Sequence, residues 1–274
     1  MKRILACTAA GLLLAVIEAA PVQATPLIWE SNFGAAVVTG DDSTANVNFG
    51  FNFGFLGNTY ANGEVSTNGF LSLGGSNGEG CCDANVGVFL AGNDRIAPAW
   101  FDFVGTVFLN TSVADRAVLT WQGAEFSNST RSTFQVQLFN TGQIIFGYDN
   151  LAPLEDPGGH RHAGLTGVTG GGGSPDPGEI NYSTALLYNS GAFGSVYEFF
   201  NRGPNGATGG SPDTWDLAQS NICFSPNGNG GWTVGGGTAG CASAAAVPEP
   251  GTLTLLGGGI VAAVCSIRRR RSAR

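Results

Sequence analysis

The run Val47-Asn48-Phe49-Gly50-Phe51-Asn52-Phe53-Gly54-Phe55 places an apolar residue at every second position. In an extended chain, alternate side chains share a face, so Val47 and four phenylalanines line one side of a strand. Shorter alternating runs recur along the chain between glycine-rich turns, and no long stretch has helical periodicity. Glu64-Val65-Ser66-Thr67 and Phe70-Leu71-Ser72-Leu73 flank Asn68-Gly69. That dipeptide readily takes φ > 0, which predicts a hairpin with a type I′ turn carrying Val65, Phe70 and Leu73 on the core face. Further strands are predicted at 117–121, 134–138, 143–148, 163–168, 185–188 and 196–200. The pattern is that of an all-β protein, an antiparallel β-sandwich-like single domain without internal repeats. Its 44 glycines cost backbone entropy, which burial of the 18 phenylalanines and five tryptophans must offset.

Both ends stand apart from this domain. Met1-Lys2-Arg3, an apolar stretch over 4–17, and Val22-Gln23-Ala24 come in the order of a signal peptide cut after Ala24. From Val247 the chain reads Val247-Pro248-Glu249-Pro250, an apolar run over 252–267, and an arginine cluster, Arg268 to Arg271. As a helix the apolar run would span about 24 Å, marginal for a membrane core of about 30 Å. The arginines would stay cytoplasmic and hold the domain outside. The organisation expected is a signal peptide over 1–24, an all-β ectodomain over 25–225, a Gly/Ala/Ser-rich linker over 226–246 and a tail over 247–274.

Between the end signals the charge is one-sided. Residues 25–250 hold five arginines, no lysine and 19 carboxylates, a net charge of −14. Such a surface repels phosphate backbones, which argues against a nucleic-acid partner. Four cysteines fall in the exported part, Cys81, Cys82, Cys223 and Cys241, and export to an oxidising compartment suggests disulfides. Adjacent cysteines bond each other poorly, so Cys81 and Cys82 are expected to reach Cys223 and Cys241. A Cys223–Cys241 clip is the rival pairing.

Candidate chemistry is sparse. Gly74-Gly75-Ser76-Asn77-Gly78 fits the G-x-S-x-G elbow, but the segment after it, Gly78 to Cys82, is poor helix. His160 and His162 could share a strand face, yet Pro157-Gly158-Gly159 points to a loop. Asp102 reads as a turn aspartate bonding nearby amides. No catalytic residue and no metal site are assigned. Asp83, Asn85 and Asp94 are hard oxygen donors in one loop, and calcium is the cation they would suit. Trp100, Trp121 and Trp215 could stack on sugar rings if exposed, and the first two read as core.

These residues carry two resemblances. The tail, Pro248-Glu249-Pro250 with its apolar run and arginines, resembles the PEP-CTERM sorting signal of Gram-negative bacteria. That resemblance implies recognition by an exosortase-type membrane protease, transient inner-membrane association, and a place at the cell surface or in an exopolysaccharide and biofilm matrix. The ectodomain resembles the nidogen-like (NIDO) extracellular domain over about 49–169. The resemblance rests on the alternating phenylalanines, Ser66-Thr67-Asn68-Gly69-Phe70, Ile96-Ala97-Pro98-Ala99-Trp100-Phe101-Asp102, Val118-Leu119-Thr120-Trp121, the Phe134-Gln135 strand and Ala163-Gly164-Leu165. It carries no catalytic residues and implies a structural or adhesion role. A carbohydrate-binding module, with an exposed aromatic platform, and a matrix-polymer hydrolase, with carboxylates about 5–9.5 Å apart, are the alternatives.

Overall fold

The computed structural model describes residues 27–76, 84–126, 130–152, 154, 163–184, 187–201 and 215–235. Alternation in the sequence becomes two sheets. The first has eight strands in the order β1 (Ala35–Gly40), β6 (Phe103–Asn110), β7 (Arg116–Glu125), β8 (Arg131–Phe139), β9 (Ile144–Asn150), β13 (Ser220–Pro226), β14 (Trp232–Gly235) and β11 (Tyr188–Asn189). The second has six, in the order β12 (Val196–Asn201), β10 (Ala163–Thr169), β5 (Arg95–Trp100), β4 (Phe70–Ser72), β3 (Asn58–Ser66) and β2 (Thr44–Phe55). Every pairing between these strands is antiparallel.

The inward positions of β2, Val47, Phe49, Phe53 and Phe55, are all buried. They join Trp121, Phe134, Phe146, Phe224 and Trp232 in one core between the sheets. Aromatic pairs run through it: Trp121 stacks on Phe134 at 5.4 Å between centroids, and Phe55 meets Trp232 at 5.4 Å. A second, smaller core lies on the outer side of the six-stranded sheet, where Phe70, Ala97, Trp100 and Leu165 are covered by Phe89 and Leu90 of a short helix, α1 (Val86–Ala91). Phe70 therefore does not share the face of Val65 and Leu73; it points the other way. Arg95 is fully buried there, its guanidinium 4.6 Å from the Phe70 ring and 4.4 Å from the Trp100 ring. A cation between two aromatic faces keeps favourable electrostatics away from water.

Two further expectations need correcting. The stretch 226–246 is not all linker: β14 pairs with β13, and Trp232 is fully buried. The folded domain thus continues to Gly235. The predicted type I′ turn is also absent at Asn68-Gly69. Ser66 pairs with Phe70, so the connection has three residues, and within it only Gly69 has positive φ (81°). The Gly69 N–H donates to the Ser66 carbonyl at 3.3 Å, giving a turn followed by a left-handed residue, the three-residue hairpin form.

Residues 27–34 form a strap across the outer face of the eight-stranded sheet. Its backbone is held by Asn110, Gln135, Gln137 and Asn221, and Glu30 pairs with Arg116. This explains why those four carboxamides, on the outer face, are buried.

Candidate functional site

The two most specific sequence motifs meet at one corner of the sandwich. The 67–69 turn, the β5–β6 connection at 101–102 and the β1–β2 connection at 41–43 converge there, and Asn68 joins them. Its side chain donates to Asp42 Oδ1 at 2.8 Å and accepts from the Phe103 N–H at 3.0 Å. Its carbonyl accepts from the Phe101 N–H at 3.2 Å. Thr67 and Ser43 exchange two bonds, through the Thr67 hydroxyl oxygen and the two backbones. The Trp121 indole N–H donates to the Ser66 carbonyl at 2.8 Å. Pro98, in the middle of β5, offers its carbonyl to both the Tyr148 hydroxyl (2.7 Å) and the Thr166 hydroxyl (2.9 Å). Apart from those of exposed Asp42 and half-buried Ser43, these polar atoms are buried, and each has its partner, which stiffens the corner.

Carboxylates gather on its solvent side. One oxygen each from Asp41, Asp42 and Asp102 lies within 4.8 Å of the others. Asp41 and Asp42 are exposed and Asp102 half-buried. Desolvation, and then the Asp42 charge, push the Asp41 carboxyl above its ordinary pKa. Asp102, read from the sequence as a turn residue, lies in the β5–β6 connection, where its main-chain carbonyl accepts from the Phe126 N–H at 3.1 Å and so continues the β6–β7 pairing. Its meeting with Asp41 and Asp42 was not legible, because it depends on how β1 crosses to β2.

Of the proposed calcium donors, the two among the described residues have other partners. Asn85 is the N-cap of α1, accepting from the Val88 N–H at 3.0 Å. Asp94 accepts from the Tyr60 hydroxyl at 2.7 Å; burial, and then this bond, push the Tyr60 phenol up to about 12. Asp83 lies outside the described residues. So do Cys81, Cys82, Cys241, His160, His162 and the Val247, Pro248, Glu249 and Pro250 motif. Cys223, on β13, is disulfide-bonded. Ser76 lies in exposed coil after β4. Trp100 and Trp121 are core residues, and Trp215 packs edge-on against Phe101 and Phe200 at 5.5 and 4.6 Å. None of the three forms an exposed aromatic platform.

A two-sheet β-domain tied by a buried polar corner is the class that these features define. The NIDO-related family model matches residues 22–192, more than half of the chain, and the chain belongs to that family. The PEP-CTERM protein-sorting motif matches residues 246–271. No curated protein and no solved structure matches the chain. Together the two family matches make this an extracellular protein that an exosortase-type system sorts to the cell envelope or surface. The fold runs past the family match: β12, β13 and β14 come after residue 192 and extend both sheets.

Proposed function

We propose that the domain is a non-catalytic structural or adhesion module of the bacterial surface or its exopolysaccharide matrix. One observation carries this reading: the motif residues are spent on holding the fold together. Asn68, Pro98, Trp100 and Trp121 make internal bonds or ring contacts at the buried corner and its flanking core. The net charge of −14 over residues 25–250 adds a hydrated, self-repelling surface that suits a secreted protein.

The test is co-sedimentation of purified mature protein, starting at Thr25, with the producer's own exopolysaccharide. Saturable retention that survives loss of any hydrolytic activity supports the reading. Release of reducing ends from that polymer, abolished by Asp102→Asn, would replace it with the hydrolase reading.

A further inference from the structure

The strap is gripped in a way that a peptide ligand would be. Residues 27–34 belong to no strand. Even so, the Ile28 N–H donates to Asn221 Oδ1 at 3.0 Å, and its carbonyl accepts from Gln137 Nε2 at 3.3 Å. The Glu30 N–H donates to Gln135 Oε1 at 3.1 Å, and its carbonyl accepts from Gln135 Nε2 at 2.7 Å. The Asn32 carbonyl accepts from Asn110 Nδ2 at 2.5 Å. Residues 28, 30 and 32 share one edge of an extended segment. Four side-chain amides on the sheet face thus take the place of a neighbouring strand and read main chain. Side chains add selectivity. Ile28 packs beside Ile145 and Cys223, Trp29 meets Phe33 at 6.1 Å, and Glu30 Oε2 lies 2.5 Å from Arg116 Nη2.

We propose that this face is a peptide-reading surface whose second ligand is the strap of another copy of the chain, so that copies join by exchanging straps. The bonds are the same whichever copy supplies the segment, and exchange of an identical element is a low-cost route to dimers. No strand ladder has to break, so the strap opens at far lower cost than the domain unfolds. The strap ends at a turn before β1: Gly34 has φ 80°, and Asn32 Oδ1 caps its N–H at 3.2 Å. The strap's own effective concentration is about millimolar, and chains sorted to one surface compete on that scale. The inference supplies the proposed structural role with a partner, and it rests on that role only for crowding.

Purified mature protein gives the test, independently of any polysaccharide. Brought near millimolar concentration a few degrees below its melting temperature and then cooled, the wild type should yield dimers by light scattering. Glu30→Arg or Arg116→Glu alone should leave the dimer fraction near that of wild type, since like charges then meet equally in the closed monomer and in the exchanged dimer. Mixed, the two variants should form a heterodimer below the concentration the wild type needs, because both of its strap–face contacts are then matched. The chain carrying both substitutions matches strap to face in every copy and should behave as wild type, which excludes misfolding as the source of the mixing effect. A synthetic peptide of residues 25–34 in excess should suppress the wild-type dimer, whose face carries the Arg116 that its Glu30 matches. A wild type that stays monomeric, or a dimer indifferent to mixing and to the peptide, overturns the proposal.

Discussion

Two hairpin turns lie in the six-stranded sheet, and each does what the other's sequence would suggest. Leu56-Gly57 joins β2 to β3 through two residues, with Phe55 opposite Asn58 and φ of 48° and 87°. That is type I′ geometry, yet leucine is a poor residue for it. Asn68-Gly69 carries the type I′ signature and forms a three-residue connection instead. The difference lies in what surrounds each turn. Leu56 packs its side chain against the main core, which offsets its left-handed backbone. Asn68 is fully buried, and its amide is committed to Asp42 and Phe103. Turn propensity is a local energy of about 1–2 kcal/mol, and buried contacts of comparable or larger size override it.

The largest effect should therefore come at Gly69. A Cβ there would overlap the Ala99 carbonyl oxygen and lie 2.7 Å from its carbon, backbone that cannot move without breaking β5. Adding left-handed strain, Gly69→Ala should cost about 3 kcal/mol or more. Thermal unfolding of the mature protein should show a fall of many degrees or no folded protein, and Gly69→Val should be worse. Asn68→Ala comes next. It leaves the buried Phe103 N–H unsatisfied, at about 1–3 kcal/mol, which chemical denaturation would read. Gly57→Ala completes the comparison: the backbone is equally left-handed, but nothing lies within 4 Å of its Cβ. Only the backbone term of about 1 kcal/mol remains. If Gly57→Ala and Gly69→Ala proved equally costly, close packing would not be what separates the turns.

How far the sequence was readable obeys the same division. Strands with strong period-two alternation, such as 47–55 and 134–138, appear where expected and in the expected class of fold. β14 did not, because its four residues sit among glycines and asparagines and exist as a strand only through β13. β1, β6 and β13 were likewise missed, since their short runs lack a clear alternation. Gln135 and Gln137 were visible as outward-facing polar residues of β8, but nothing local says that they clasp a segment more than 100 positions away. The carboxylate cluster failed for the same reason: Asp102 and Asp41 are neighbours only after both sheets have formed.

That cluster provides the smallest and most discriminating test. Asp42 is tied to Asn68, whereas Asp41 is exposed beside it. Desolvation and the Asp42 charge raise the Asp41 pKa. A carboxyl whose pKa is higher in the folded than in the unfolded state opposes folding once it ionises in both. Its penalty is complete above the folded pKa and disappears as pH falls below the unfolded one. Asp41→Asn should then stabilise the mature protein at pH 7. Exposure and screening limit the gain to roughly 0.2–0.5 kcal/mol, and the gain should vanish at pH 3. Asp42→Asn removes charge from the same cluster but also weakens the bond to Asn68, so its effect at pH 7 should be neutral or destabilising. Urea midpoints for the three proteins at the two pH values decide the matter. Equal stabilisation by both substitutions would mean that the Asn68–Asp42 bond contributes nothing, and that the polar corner ends at the 67–69 turn.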